Sequence, residues 1–97
     1  MRTLNWTERA QEDLAAIHAF ISQDSPHYAS VIVRRLIGAV ERLRDFPESG
    51  RSVPEFRNPA IREVIEPPYR IVYRRVGAQE IHVLTVHHGA QMFPPGL

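Results

Sequence analysis

The chain contains no cysteine and no lysine. The first absence excludes disulfides, thiolate metal sites and a cysteine nucleophile. The second leaves arginine as the strong cation, so all 12 basic residues carry a planar fork suited to carboxylate or phosphate. A GC-rich coding bias yields the same pattern, and cation type alone assigns no partner. No apolar run approaches the ~20 residues that cross a bilayer, and Met1-Arg2-Thr3-Leu4-Asn5-Trp6 lacks a signal-peptide core. A cytoplasmic location without membrane contact is therefore the expectation. There is no glycine-rich phosphate loop, and the adjacent His87 and His88 point to opposite faces of a strand, so neither a metal nor a cofactor is expected.

What is present suffices for one core: 97 residues, 43% of them hydrophobic, make a single domain spanning 1–97. The formal charge of +1 is unevenly placed. Six arginines stand against seven acids before Ser49, and six against four after it, so the second half is mildly basic.

Met1 to Trp6 alternates weakly between apolar and polar and suits a short edge strand, with Thr7 placed to cap the next element. Ala10, Leu14, Ile17 and Ile21 form one apolar stripe, with Glu8, Glu12 and Asp13 near the positive end, predicting a helix over 7–23. Asp24-Ser25-Pro26 supplies a break, an N-cap and a proline at the first helical position. Ala29, Ile32, Leu36, Val40 and Leu43 then mark a second helix over 26–46, its face widened by Val33, Ile37 and Ala39 and hence the more buried. The short connection makes the two helices an antiparallel hairpin. Residues 46–59 hold too many breakers to be regular and are read as a loop.

Ile61–Ile65, Tyr69–Val76 and Ile81–His87 are β-rich runs separated by Pro67-Pro68 and by Gly77-Ala78-Gln79-Glu80, which predicts a three-stranded antiparallel meander. The fold class is α+β, with both helices on one sheet face. The tail 92–97, holding Pro94-Pro95-Gly96, is expected to be irregular.

That order of elements, with several local phrases, resembles the ParE/RelE toxins of type II toxin–antitoxin systems over nearly the whole chain. The phrases are Trp6-Thr7 with Ala10 and Asp13-Leu14, Phe46-Pro47-Glu48-Ser49-Gly50-Arg51, Ile61-Arg62-Glu63, Tyr69-Arg70-Ile71-Val72-Tyr73, and His88-Gly89-Ala90-Gln91. The resemblance implies a curled antiparallel sheet beside a helical hairpin, a cognate antitoxin that wraps the toxin, and one of two targets. ParE-like members poison DNA gyrase, whereas RelE-like members cut mRNA in the ribosomal A site, and a shared fold does not choose between them. A chain retained only as an inactive antitoxin-binding module is the third reading.

Metal-free RNA cleavage through a 2′-hydroxyl needs a base, a cation for the phosphorane and an acid for the leaving oxygen. Arg70 can clamp the phosphate, His87 or His88 can serve as acid or base, Glu63 or Glu66 can accept a proton, and Tyr73 can stack on a base. An even-numbered loop between the last two strands sets Arg70, Val72 and Arg74 on the face of Val83, Thr85 and His87; an odd one substitutes His88. The even case is taken. The competing readings are a core tyrosine, a solvated Arg74-Arg75 strand end and a cross-strand Arg62–Glu63 ion pair.

Departures from the nuclease pattern include the missing lysine and Phe93, which stands where some relatives place a tyrosine. The Glu63, Arg70 and His88 set matches those relatives in part. The His88-Gly89-Ala90 ending looks more ParE-like, although Gln91 and Thr85 stand where arginines are common. An acidic, amphipathic antitoxin segment is expected to engage Arg62, Arg70, Tyr73 and Arg74.

Overall fold

Two N-caps open the helices where the sequence places them. Thr7 Oγ1 accepts a hydrogen bond from Ala10 N at 3.2 Å and Ser25 Oγ accepts one from Tyr28 N at 3.1 Å, with Pro26 in the first turn. In this computed structural model, which describes residues 2–89, the helices are α1 (Glu8–Ser22) and α2 (Pro26–Glu41). The expected irregular tail, Phe93 and Gln91 lie outside the described residues. Helix two stops short of residue 46 because its last turn tightens into a 3₁₀ turn, Arg42–Arg44, ahead of Pro47, whose ring disfavours helical backbone at the preceding residue.

The predicted stripe of α2 is the backbone of the core: Ala29, Ile32, Leu36, Val40 and Leu43 are all buried. Ile37 is exposed and does not widen that stripe, whereas Ala39 does. On α1 only Ala10 is fully buried, with Leu14, Ile17 and Ile21 packed at the margin, so α2 is the more deeply set helix.

The sheet has five strands, β1 (Thr3–Trp6), β2 (Arg51–Ser52), β3 (Ile61–Glu66), β4 (Tyr69–Val76) and β5 (Glu80–His88), in the spatial order β1-β5-β4-β3-β2. The meander β3-β4-β5 is antiparallel as expected. β1, however, runs parallel to β5, with Thr3 beside Glu80 and Trp6 beside Val83, so the sheet is mixed. β2 is a short strand inside the segment read as loop, pairing Arg51 with Glu63 and Ser52 with Arg62.

One tyrosine fixes the approach to β2. Tyr73 is fully buried; its hydroxyl donates to the Pro47 carbonyl at 2.8 Å and accepts from Gly50 N at 3.1 Å. Gly50 is demanded by this closeness, since a Cβ there would lie 2.5 Å from the Tyr73 hydroxyl and 2.6 Å from the Glu63 carbonyl oxygen.

The register of β4 and β5 changes part-way. Their loop, Gly77 to Gln79, has an odd number of residues, and Gly77 supplies the positive φ of 62° that the turn needs. Near the turn Val76 therefore pairs with Glu80 and Arg74 with His82. Between Val72 and Tyr73 the register shifts, and Leu84 is the extra residue of a bulge. Beyond it Val72 faces Thr85, Arg70 faces His87 and Tyr69 faces His88.

The helices cover the sheet face that carries Ile71, Val83 and Val86, which pack with Ala10, Ile32, Leu36 and Val40. The opposite face carries Glu63, Arg70, Val72, Thr85 and His87. It is crossed by the segment after β2, because Glu55 reaches Arg70.

Candidate functional site: an arginine between two carboxylates

Strand pairing brings three of the sequence candidates together on the face away from the helices. Arg70 and His87 are direct cross-strand neighbours. This is the expected pair, reached by a different route: the odd loop alone would have selected His88, and the bulge at Leu84 reverses that choice. Val83, expected on the Arg70 face, instead lies with Tyr73 for the same reason. Glu63, opposite Val72 on β3, completes the group.

His88 stands apart from it. It pairs with Tyr69 on the other face, where the two rings meet edge to face with centroids 5.9 Å apart. The Glu63, Arg70 and His88 set is thus not assembled on one surface.

Glu63 is among the most buried charged groups, at 1% exposure. Its Oε1 accepts from Arg70 Nε at 2.6 Å and its Oε2 from Arg51 Nε at 2.8 Å. Arg70 turns its other two nitrogens outward to Glu55, Nη1 to Oε2 and Nη2 to Oε1, both at 3.0 Å. All three guanidinium nitrogens therefore donate to carboxylates, a fork that lysine cannot reproduce. Two cations and two anions alternate along Arg51, Glu63, Arg70 and Glu55, which compensates the burial of Glu63.

These contacts set the electrostatics. The Glu55 carboxylate, by hydrogen bonding, raises the Arg70 pKa further above its already high ordinary value, against a smaller opposing effect of desolvation. In return the Arg70 guanidinium holds the Glu55 carboxyl below the usual carboxylate range. His87 is pushed below the ordinary histidine value, first by burial and then by the positive charge of Arg70, with Asp13, Glu55 and Glu63 opposing. Burial and the Arg70 charge both favour its neutral form.

The remaining candidates divide. Arg62 donates to the Gly50 carbonyl at 2.9 Å and to that of Glu48 at 3.4 Å, so its fork props the turn before β2. Tyr73 has no exposed ring surface and cannot stack on a base or meet a partner. Glu66 lies 3.9 Å from both Arg35 and Arg42, a loose pairing. Arg74 is exposed and forms no ion pair among the described residues. No cluster of three or more His, Asp or Glu able to hold a metal exists among the described residues, and no helix among them is long and apolar enough to cross a membrane. A depression of 480 Å³ lined by Arg2, Phe46, Glu48 and Arg75 lies elsewhere.

A family model, described as the ParE toxin of the type II toxin–antitoxin system parDE, matches residues 4–93. The chain belongs to the ParE toxin family. Toxin RelE2 of Caulobacter vibrioides is 37% identical over 93 residues, covering 95% of this chain and all of its own. Y4kP of Sinorhizobium fredii is 36% identical over 95 residues, covering 96% of this chain and 94% of its own. Among solved structures, the chromosomal ParDE toxin–antitoxin system of P. aeruginosa matches with a TM-score of 0.73 and 27% identity, over 91% of this chain and 96% of that one. The toxin–antitoxin complex RelBE2 from Mycobacterium tuberculosis shares the fold, with a TM-score of 0.55 and 20% identity over 90% of this chain and 96% of that one.

Several phrases by which the sequence resembles the ParE/RelE toxins have a physical role here. Phe46 to Arg51 is the turn pinned by Tyr73. Ile61-Arg62-Glu63 supplies its prop and the buried carboxylate. Asp13, which the sequence marks only as a helix-start acid, does more. β1 ends at Trp6, and Asp13 Oδ2 accepts from Val86 N at 3.1 Å and from the Thr85 hydroxyl, closing the part of the β5 edge that β1 leaves open. An acid beside Leu14 within an apolar stripe was the available signal. Arg51 closes the Phe46 to Arg51 phrase, but for Glu55 there was no signal, because nothing in a breaker-rich loop tells which side chain folds back onto the sheet.

Proposed function

We propose that this ParE-family chain is a growth-inhibiting toxin, silenced by a cognate antitoxin and acting by poisoning DNA gyrase rather than by cutting ribosome-bound mRNA. The observation that carries the choice of target is the sealing of Glu63 between Arg70 and Arg51, which removes it as a base. Cleavage through a 2′-hydroxyl needs a cation turned toward the phosphate and a base able to reach the hydroxyl. Here Glu63 has no exposed side-chain surface and both its oxygens are taken by Arg70 and Arg51, so it cannot reach a hydroxyl, and it holds Arg70 Nε within the sheet. The match to the ParE family model points the same way.

The antitoxin is supported by the family and by the solved neighbours, which are toxin–antitoxin systems. The surface we assign to it is the sheet face bearing Arg70 and Arg74. A stable hetero-complex that Arg70→Glu with Arg74→Glu weakens is expected; a complex insensitive to both would remove that assignment. The contrary reading, a RelE-like nuclease, draws on the adjacency of Arg70 and His87 and on the likeness to RelE2.

The deciding experiment expresses the chain alone and scores growth, gyrase-linked DNA breaks and mRNA integrity in the same cells. Breaks with intact mRNA are expected. Cleaved mRNA would replace the gyrase reading with the nuclease one, and normal growth with neither lesion would leave an antitoxin-binding domain without toxicity.

A further inference from the structure

The two carboxylates on Arg70 differ in kind. Glu63 belongs to β3 and is sealed within the sheet, whereas Glu55 sits in a turn between β2 and β3, held locally by Phe56 N donating to the Val53 carbonyl at 3.1 Å, with its side chain 47% exposed. Glu55 meets Nη1 and Nη2 in two matched bonds of 3.0 Å, the fork-on-fork geometry any incoming carboxylate would use. An exposed ion pair on a turn exchanges for an equivalent one at little net cost, and segments without regular structure open most easily.

We propose that Glu55 is an internal occupant of a carboxylate-binding site on Arg70, and that an acidic side chain of the antitoxin replaces it when the complex forms. This rests on the antitoxin reading above and adds the chemistry of the site. The surroundings favour a peptide. Ile65 pairs in register with Arg70, on the same sheet face, and is 42% exposed, so an apolar residue flanks the cation. Arg74, further along the same strand, offers a second cation that no described carboxylate engages. An acidic segment with an interleaved apolar residue fits that row. A nucleic acid does not, because phosphate backbones draw their affinity from several cations together, and Glu55 and Glu63 offset two of the three arginines on this face.

The test uses the full chain with ¹⁵N-labelled arginine. A synthetic peptide of alternating Glu and Leu pairs is titrated while the Arg70 Nε–H resonance is followed. Removing the internal competitor with Glu55→Gln is expected to tighten peptide binding about two- to fivefold, the amount an exposed pair contributes. Arg70→Lys, which keeps a charge beside Glu63 but loses the fork, is expected to weaken it. Equal affinity of the original chain and Glu55→Gln, with Arg70→Lys still weakened, would overturn the internal-occupant proposal and leave the antitoxin surface standing. Unchanged affinity in Arg70→Lys would overturn both. A single-stranded RNA oligonucleotide run in parallel is expected to gain less from Glu55→Gln than the peptide; a larger gain for RNA would overturn the choice of ligand.

Discussion

Replacing Tyr73 by Phe removes one oxygen and should unpin the turn that delivers β2 to the sheet. The hydroxyl is hydrogen-bonded to two buried backbone groups, the Pro47 carbonyl and the Gly50 N–H. Phenylalanine fills the same space and leaves both without that partner. A buried polar group left unpaired costs ~1–3 kcal/mol, and partial entry of water into the turn puts the pair toward the lower end, about 2–4 kcal/mol together. For a chain of this size that lowers Tm by roughly 10–20 °C.

Urea and thermal unfolding followed by circular dichroism measure the effect. A loss under ~0.5 kcal/mol, the scale of an ordinary surface substitution, would refute the clamp. A second arm removes the ambiguity of a single variant. Gly50→Ala sets its Cβ against the Tyr73 hydroxyl at 2.5 Å and the Glu63 carbonyl at 2.6 Å, so Tyr73→Phe relieves only the first contact. Gly50→Ala should therefore still destabilise when combined with Tyr73→Phe. Alkaline unfolding tests the same burial. Desolvation raises the Tyr73 pKa above tyrosine's ordinary 10, so the folded state holds this proton more tightly than the unfolded one. The stability it contributes is complete below pH 10 and declines as pH rises beyond it, and the variant lacks that component.

Two further outcomes are expected. Asp13→Ala uncaps Val86 N and the Thr85 hydroxyl at a cost of ~1–3 kcal/mol, and amide exchange at Val86 should accelerate more than at the central Ile71; equal acceleration would show that Asp13 is not an edge cap. His87, whose pKa burial and Arg70 lower from 6.5, should titrate by NMR below that value. Its neutral form then stabilises the fold above pH 6.5, and that contribution is lost as pH falls through the folded pKa. A midpoint at or above 6.5 would contradict the site's electrostatics.

The architecture was legible because it obeys periodicity. The stripe Ala29, Ile32, Leu36, Val40 and Leu43 is the core of α2, and the Thr7 and Ser25 caps fall where short polar side chains precede apolar repeats. What periodicity does not encode is the partner of an edge. β1 pairs parallel with β5, and β2 joins β3, through contacts distant in sequence. The pairing of Arg70 with His87 shows the limit more sharply. Parity assigns faces only where one register runs from turn to strand end, and a three-residue loop alone would have separated the two side chains. The bulge at Leu84 restored the pairing, and no residue near Leu84 announces a bulge.

The arginine-only composition has structural uses. Arg70 joins two carboxylates, Arg62 holds two turn carbonyls, Arg51 reaches Glu63 and Arg75 reaches Glu48. Arg2 and Arg44 exchange bonds through each other's carbonyls, at 2.8 Å in both directions, and so tie the start of β1 to the end of the helical hairpin. Several of these tasks need a fork that donates in two directions at once, which an ammonium does poorly. Much of the basic charge of the second half is thus consumed in holding the turn before β2 and the segment after it against the sheet. A polyanion approaching this face meets Arg74 and a charge-compensated network, which is the electrostatic basis for proposing an exchanging carboxylate rather than a phosphate backbone as its ligand.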